Sequence, residues 1–434
     1  MSNEILGLLS EYLKLDTTNP PGNEERGVCF FEKIFSQEGI EYKTYQAEKG
    51  RSSIRAIIPG SKQREPLVLL NHIDVVLAEA DQWEFDPFSG KIEEGFMLGR
   101  GALDMKGLAI IQLKAFLEIH RNGVTPNRDI IFLATADEEE GGKKGLGYLL
   151  SHYPEDFRAG LVLNEGGYGV IDLIPGQKVF LVSTAEKGAN IIRLTCQGSP
   201  GHGSAPHGDN AVEKLIRGIN RIIEKESPVI ITPVVAEFFM RLSKVWYFLQ
   251  PYRDDPKYET LVNCLEQGKL TENPQISAMI RNTISCNVIN AGAKVNVIPG
   301  FAEAYLDVRI LPGEDPGQVV EELENLLDGY GVRVELTRNT LGNESPLDTA
   351  DFEIIKEAVL KHYPDAVVVP SLLFGSSDSR YFRDRGVTAY GFCPFLVSMK
   401  DIKGVHGINE KISVDNLIKG AAVFQDTIKN MSGL

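Results

Sequence analysis

Histidines and carboxylates recur in this chain where apolar segments end. Leu67-Val68-Leu69-Leu70-Asn71 runs into His72-Ile73-Asp74, Asp129 to Thr135 runs into Glu138 and Glu139, and Leu161-Val162-Leu163-Asn164 runs into Glu165. Asp104 stands at a loop-to-helix junction, and His406 follows a fourth strand. Each residue alone has an ordinary reading. His-x-Asp is a common surface pair, and an Asp ahead of a helix is more often a cap than a ligand. As a set they suit two zinc-like ions: two His, three or four carboxylates and no Cys. A bridging carboxylate can hold such a pair about 3.5 Å apart, with room for a shared water. Glu138 and Glu139 are adjacent, so their side chains point apart unless the loop is tightly turned. One can bind metal while the other faces the water as general base. Asp74 suits a partner that accepts the other ring N–H of His72 and fixes its tautomer.

The elements around these residues follow from periodicity. The run at Leu67 is too short for a helix and reads as a buried parallel strand. In open α/β sheets, ligands gather at the carboxyl ends of strands. Ile110, Leu113 and Leu117 give the segment after Asp104 a buried helical face, stopped at Asn122-Gly123. Helices are expected over residues 4–15 and 24–37, with strands near 40–47 and 52–58. The pattern changes near Lys187. Strands at 190–196, 283–289, 302–310 and 332–337, with helices at 211–225 and 316–327, predict a β-α-β-β-α-β ferredoxin-like unit. Within it lies an excursion, 226–282, rich in aromatics including Phe238, Phe239, Trp246 and Tyr252. Its aromatic density fits internal packing or a subunit contact, and the residues alone do not separate these. From about Leu347 the α/β pattern returns. The fold class expected is α/β: a mixed, mostly parallel sheet domain of residues 1–186 and 342–434, interrupted by an inserted α+β domain at 187–341.

The chain has 434 residues, 43% of them hydrophobic and 24% charged, which is ordinary globular composition. Its net charge of −15 disfavours nucleic acid and anionic membranes as partners. Cys29, Cys196, Cys264, Cys286 and Cys393 form no C-x-x-C pair or disulfide pattern. The start lacks a basic n-region, and no apolar run reaches membrane-spanning length. A soluble cytoplasmic protein is expected.

The motifs resemble those of the di-zinc amidohydrolases and exopeptidases that include acetylornithine deacetylase, succinyl-diaminopimelate desuccinylase, aminoacylase, carboxypeptidase G and carboxypeptidase S. The resemblance rests on residues 71–74 (NHID), 83–88 (WEFDPF), 99–107 (GRGALDMKG), 135–139 (TADEE), 164–166 (NEG), 201–206 (GHGSAP), 296–299 (NVIP), 307–309 (DVR) and 406–410 (HGINE), and runs the whole length in family order. It implies a zinc exopeptidase-like catalytic domain with an inserted lid and dimerisation domain. It implies two Zn2+, with Co2+ able to substitute. Asp104 would bridge them, His72 and Glu165 would complete one site, and Glu139 and His406 the other. Glu138 would be the general base acting on metal-bound water, and Asp74 would orient His72. His202 would reach the active site of the other subunit of a homodimer and stabilise the oxyanion. His207, five residues on, competes for that role on the residues alone. Arg309 and Asn296, placed on adjacent strands, would grip the substrate's carboxylate. Gly375 and Ser376 would offer backbone N–H groups. The Asp104–Met105 bond would be cis. Glu140 departs from the family, which often carries an apolar residue there; it either faces solvent or raises the pKa of Glu138 by repulsion.

The function expected is hydrolysis of an amide bond in N-acyl amino acids or dipeptides, ahead of an acetylornithine or succinyl-diaminopimelate type of deacylation. Two rivals come from other classes: a non-catalytic metal-binding protein, and a two-metal phosphoesterase, which would want a cationic phosphate clamp.

Overall fold

A computed structural model describes residues 2–434 of the chain. Its centre is a nine-stranded mixed sheet. Strand Leu67–His72 lies inside it, parallel to Ile130–Thr135 on one side and to Leu161–Ile174 on the other. All six of its residues are buried. Alternation along the strand explains why both faces are apolar. Leu67 and Leu69 join the core formed with helices Ser2–Leu13, Glu25–Glu38, Lys106–Asn122 and Val414–Met431. Val68 and Leu70 join a smaller core on the other face, with Leu146, Leu149 and Phe157. Each fully buried side chain of this size contributes roughly 1.5–3 kcal/mol. The helix after Asp104 stops where expected, with Gly123 left-handed at its end.

A second sheet has four antiparallel strands in the order Thr283–Ala291, Phe301–Ile310, Gly188–Gln197, Val332–Arg338. Taken in chain order, this is the ferredoxin-like arrangement. Helices Ala211–Glu224 and Pro316–Leu326 supply Leu215, Ile219, Val319 and Leu323 to its core. The chain passes between the two sheets at Lys187 and at residues 339–342, and these crossings lie side by side. A Cβ on Gly188 would sit 2.1 Å from the Thr340 carbonyl oxygen, so only glycine permits the approach.

The excursion 226–282 belongs to the insert in sequence but not in packing. Its helices place Val235, Phe238, Phe239 and Leu261 in one core with Ile174, Val179, Val369 and Leu372 of the central sheet. Trp246 and Phe248 pack against the same cluster, while Tyr247 is exposed. Internal packing therefore accounts for most of the aromatic density. Among the described residues, no helix is long and apolar enough to cross a membrane.

Candidate metal centre

The strand ends converge. Asp104 Oδ1 lies 3.2 Å from His72 Nε2, and Asp104 Oδ2 lies 3.1 Å from His406 Nε2. Glu165 Oε1 is 3.6 Å from His72 Nε2, and Glu139 Oε2 is 3.1 Å from His406 Nε2. One carboxylate thus faces both histidines, with one further carboxylate on each side. Tetrahedral zinc with bonds of 2.0–2.1 Å separates its ligand atoms by about 3.3 Å, which matches these spacings. Glu139 Oε1 is buried with no hydrogen-bond partner, as expected of an oxygen arranged for a cation. The donor set therefore fits two metal ions.

Glu138 lies in the same group, within ligand range of His72 and Glu165. It follows Asp137, whose left-handed backbone (φ 69°) turns the loop tightly enough to send Glu138 and Glu139 in different directions. Burial, then the Glu165 charge, raise the Glu138 carboxyl well above the usual carboxylate range. Burial and Asp104 raise Glu165 to about 7. Cations in the ligand positions act in the opposite direction on both. Glu140 is exposed, so the departure from the family pattern faces solvent.

Asp74 works differently from the sequence expectation. His72 Nδ1 is 2.9 Å from the backbone carbonyl oxygen of Asp74 and 3.7 Å from its carboxylate. The carbonyl accepts the Nδ1 proton and leaves Nε2 free as a ligand. The carboxylate instead accepts hydrogen bonds from the backbone amides of Glu138 (3.2 Å) and Glu139 (3.1 Å), and from Asn19 Nδ2 (2.9 Å). It holds the loop that carries the candidate base.

Glu410 is a positioning residue that sequence reasoning left inside a motif without a role. It is fully buried. Its carboxylate accepts from the backbone amides of Gly101 (2.8 Å), Leu103 (2.8 Å) and Asp104 (3.0 Å), and from Arg100 Nη1 (2.8 Å). It ties the Asp104 loop to the His406 loop. Arg100 in turn lies 5.0 Å from the Trp83 ring and its backbone amide donates to the Pro87 carbonyl at 2.8 Å, so residues 83–88 pack against the Asp104 loop. The only signal for Glu410 was an acid at the end of the His406 segment. The Asp104–Met105 peptide bond is cis.

Residues of the second sheet divide between its two ends. Arg309 pairs in register with Ala189, at the Gly188 end, where its guanidinium is held by Asp307 at 2.8 and 3.2 Å. Asn296 is not beside it, contrary to expectation. It is exposed and precedes a short pairing of Val297–Ile298 with Gly201–His202, and its carbonyl accepts from the Gly203 amide. This turn lies at the Phe301 end of the strand, about 26 Å along the strand from Arg309. His202 is exposed, with Nδ1 2.7 Å from Ser204 Oγ, and none of the contacts around the metal ligands involves it. His207 Nδ1 accepts from the Asp209 amide, in the same exposed turn. Gly375 is exposed, and Ser376 Oγ accepts from Arg380. The Ser377 amide is already taken by Glu186.

The chain is similar to known proteins. The chain is 30% identical over 363 residues to mouse N-fatty-acyl-amino acid synthase/hydrolase PM20D1, covering 81% of this chain and 71% of that protein. It is 28% identical over 445 residues to aminoacylase-1 of Dictyostelium discoideum, covering 99% and 98%. The M20 family metallo-carboxypeptidase Sso-CP2 of Sulfolobus solfataricus has the same fold, with a TM-score of 0.75 at 21% identity over 99% of this chain and 100% of that one. The family model "Peptidase family M20/M25/M40" matches residues 68–430, a span that begins in the His72 strand and ends beyond His406, and the chain belongs to that family of metal-dependent hydrolases.

Proposed function

We propose that the chain hydrolyses the amide bond of small substrates with a free carboxylate, N-acyl amino acids first and dipeptides second. The observation that carries this is Asp104 shared between His72 and His406, with Glu138 buried beside them. The similarity to proteins named for N-acyl-amino-acid chemistry supports the choice of substrate.

His72, Asp104 and Glu165 would hold one zinc ion, and Asp104, Glu139 and His406 the other. Such a pair polarises an acyl carbonyl and lowers the pKa of a water molecule. Glu138 takes the proton of the attacking water and returns it to the departing amine. Asp74 keeps Glu138 in place through two backbone amides. Arg309 faces the substrate's carboxylate, for which a planar guanidinium is suited. His202 and Asn296 sit at the other end of the second sheet and act on a partner's substrate, where His202 donates to the developing oxyanion. A homodimer is consistent with the open edge strand Thr283–Ala291, which presents Val288 and Ile289 to solvent. The crossings at 187 and 339–342 would be the hinge on which the second sheet closes as a lid.

The test is amine release by zinc-loaded protein from N-acetyl amino acids, longer N-acyl amino acids and dipeptides, with Glu138→Gln as blank. Turnover of N-acyl amino acids that Glu138→Gln abolishes, with metal content unchanged, is the expected result. Silence on every amide beside turnover of phosphate esters would overturn it.

A further inference from the structure

Arg338 ends the strand Val332–Arg338 and reaches the loop that carries Glu138. Its Nη2 lies 3.3 Å from the point where a side chain on Gly141 would begin, and Arg380 Nη2 lies 3.7 Å from the same point. The two guanidiniums come from different parts of the chain, Arg338 from the second sheet and Arg380 from the helix Ser379–Arg383. Arg380 is locked. It donates to the Gly141 carbonyl oxygen at 2.6 Å and to Ser376 Oγ, and its guanidinium lies 4.7 Å from the Tyr381 ring. Arg338 is not. Among the described residues its side chain has no hydrogen-bond partner and no carboxylate within 4 Å. The nearby acid, Asp307, is already engaged by Arg309.

This corner therefore holds Arg309, Arg338 and Arg380, with Asp307 paired to Arg309 and the charges of Asp378 and Glu186 acting on Arg380, which leaves Arg338 as the guanidinium without a paired acid, in a chain whose net charge is −15. Guanidiniums in proximity repel unless an anion arrives between them. Space for one exists. Arg309 and Arg338 line a common cavity of about 240 Å³, with Asn190, Asn287 and Tyr305. Gly141, at φ 97°, keeps the gap between Arg338 and Arg380 open, since any side chain there would fill it.

We propose that Arg338 is a substrate-binding residue, receiving a carboxylate of the substrate in the cavity it shares with Arg309. This rests on the amide-hydrolase reading above. Arg309 arrives already neutralised by Asp307, so Arg338 supplies the free guanidinium fork, which suits two-point recognition of a carboxylate. Arg380 adds charge from behind without leaving its own partners. An anion held by Arg338 also ties the second sheet to the Glu138 loop.

The experiment compares N-acetyl-L-leucine with N-acetyl-L-leucinamide in zinc-loaded protein. Wild type, Arg338→Gln, Arg338→Lys and, as control, the exposed Arg333→Gln are measured. Arg338→Gln should raise KM for the acid about 10- to 100-fold with kcat within about threefold. It should leave KM for the amide unchanged, and Arg338→Lys should recover part of the loss. Equal effects on acid and amide, or none on either, would overturn the proposal. Calorimetric binding of the same two compounds is repeated in a Glu138→Gln background, where turnover does not interfere. There the acid should bind more tightly than the amide, and only while Arg338 is present. Equal affinity, or no binding, counts against the Arg338 site, while absence of turnover in wild type counts only against the hydrolase reading.

Discussion

The metal centre and the His202–Asn296 turn are built in opposite ways. Around the candidate metal centre the segments that carry His72, Asp104 and Glu139 are tied down from beneath. Asp74 takes the Glu138 and Glu139 amides, Glu410 takes three amides of the Asp104 loop, and the Asp74 carbonyl holds His72. His202 and Asn296 stand exposed on a two-residue pairing, and the His202 ring has only Ser204 to hold it. Pre-organised donors and carboxylates let a site act without reorganising, and buried polar groups require such partners. The difference is between a buried, internally supported cluster and an exposed turn, which on the proposed reading a partner subunit completes.

The sharpest way to break that contrast is a complementation experiment. Glu138→Gln should lower kcat about 10²- to 10⁴-fold, and His202→Ala about 10²- to 10³-fold. Mixed and allowed to exchange subunits, the two inactive proteins should recover activity, because one hybrid site contains both native residues. Persistent inactivity of the mixture, with exchange verified by differently tagged subunits, would place His202 in its own chain's site or outside catalysis.

Glu410→Ala comes next. It should weaken zinc affinity about 10- to 100-fold by chelator competition, as loss of a group that orients ligands does. His202→Ala should leave that affinity unchanged. Equal zinc affinity in Glu410→Ala and wild type would show that the Asp104 loop holds its shape unaided.

The smallest effect concerns Glu24, in the network beneath Asp74. It lies 2.9 Å from Arg51 Nη2, which Asp137 shares at 2.6 Å. Two carboxylates on one guanidinium leave room for a proton. Burial first, then Asp74, raise Glu24 from 4.5 to about 7. The native protein then keeps this proton where the unfolded chain releases it. Stability from this group is present below pH 4.5 and is lost as pH rises to about 7. Glu24→Gln should remove that slope, on the order of 2 kcal/mol, in urea unfolding at pH 5 and pH 7.5.

How much of this was legible in the sequence differs by region for a physical reason. The strand at Leu67 and the helix after Asp104 were readable because burial on both faces demands an unbroken apolar run, and one buried helical face demands the i, i+3, i+7 spacing. The candidate ligands were readable because strand ends are local features and His, Asp and Glu at several of them mark one edge of a sheet. The placement of 226–282 was not. Its helices show an apolar face, and an apolar face does not name what covers it. Asp74 was read as a partner of the His72 ring because their spacing was visible, whereas its bonds to the Glu138 and Glu139 amides cross more than sixty residues of chain.

Residue types and local periodicity thus set the elements and the candidate ligands, and the motifs with their order were set by the resemblance to the family. Tertiary structure alone decided which groups meet. Asp104 lies between His72 and His406, Glu410 clamps two ligand loops together, Arg338 meets Arg380 at Gly141, and Asn296 lies with His202 rather than with Arg309. The reason is that spacing along a chain fixes only short distances. Contacts between distant segments depend on which strands pair and how sheets pack, and these are collective properties of the whole fold.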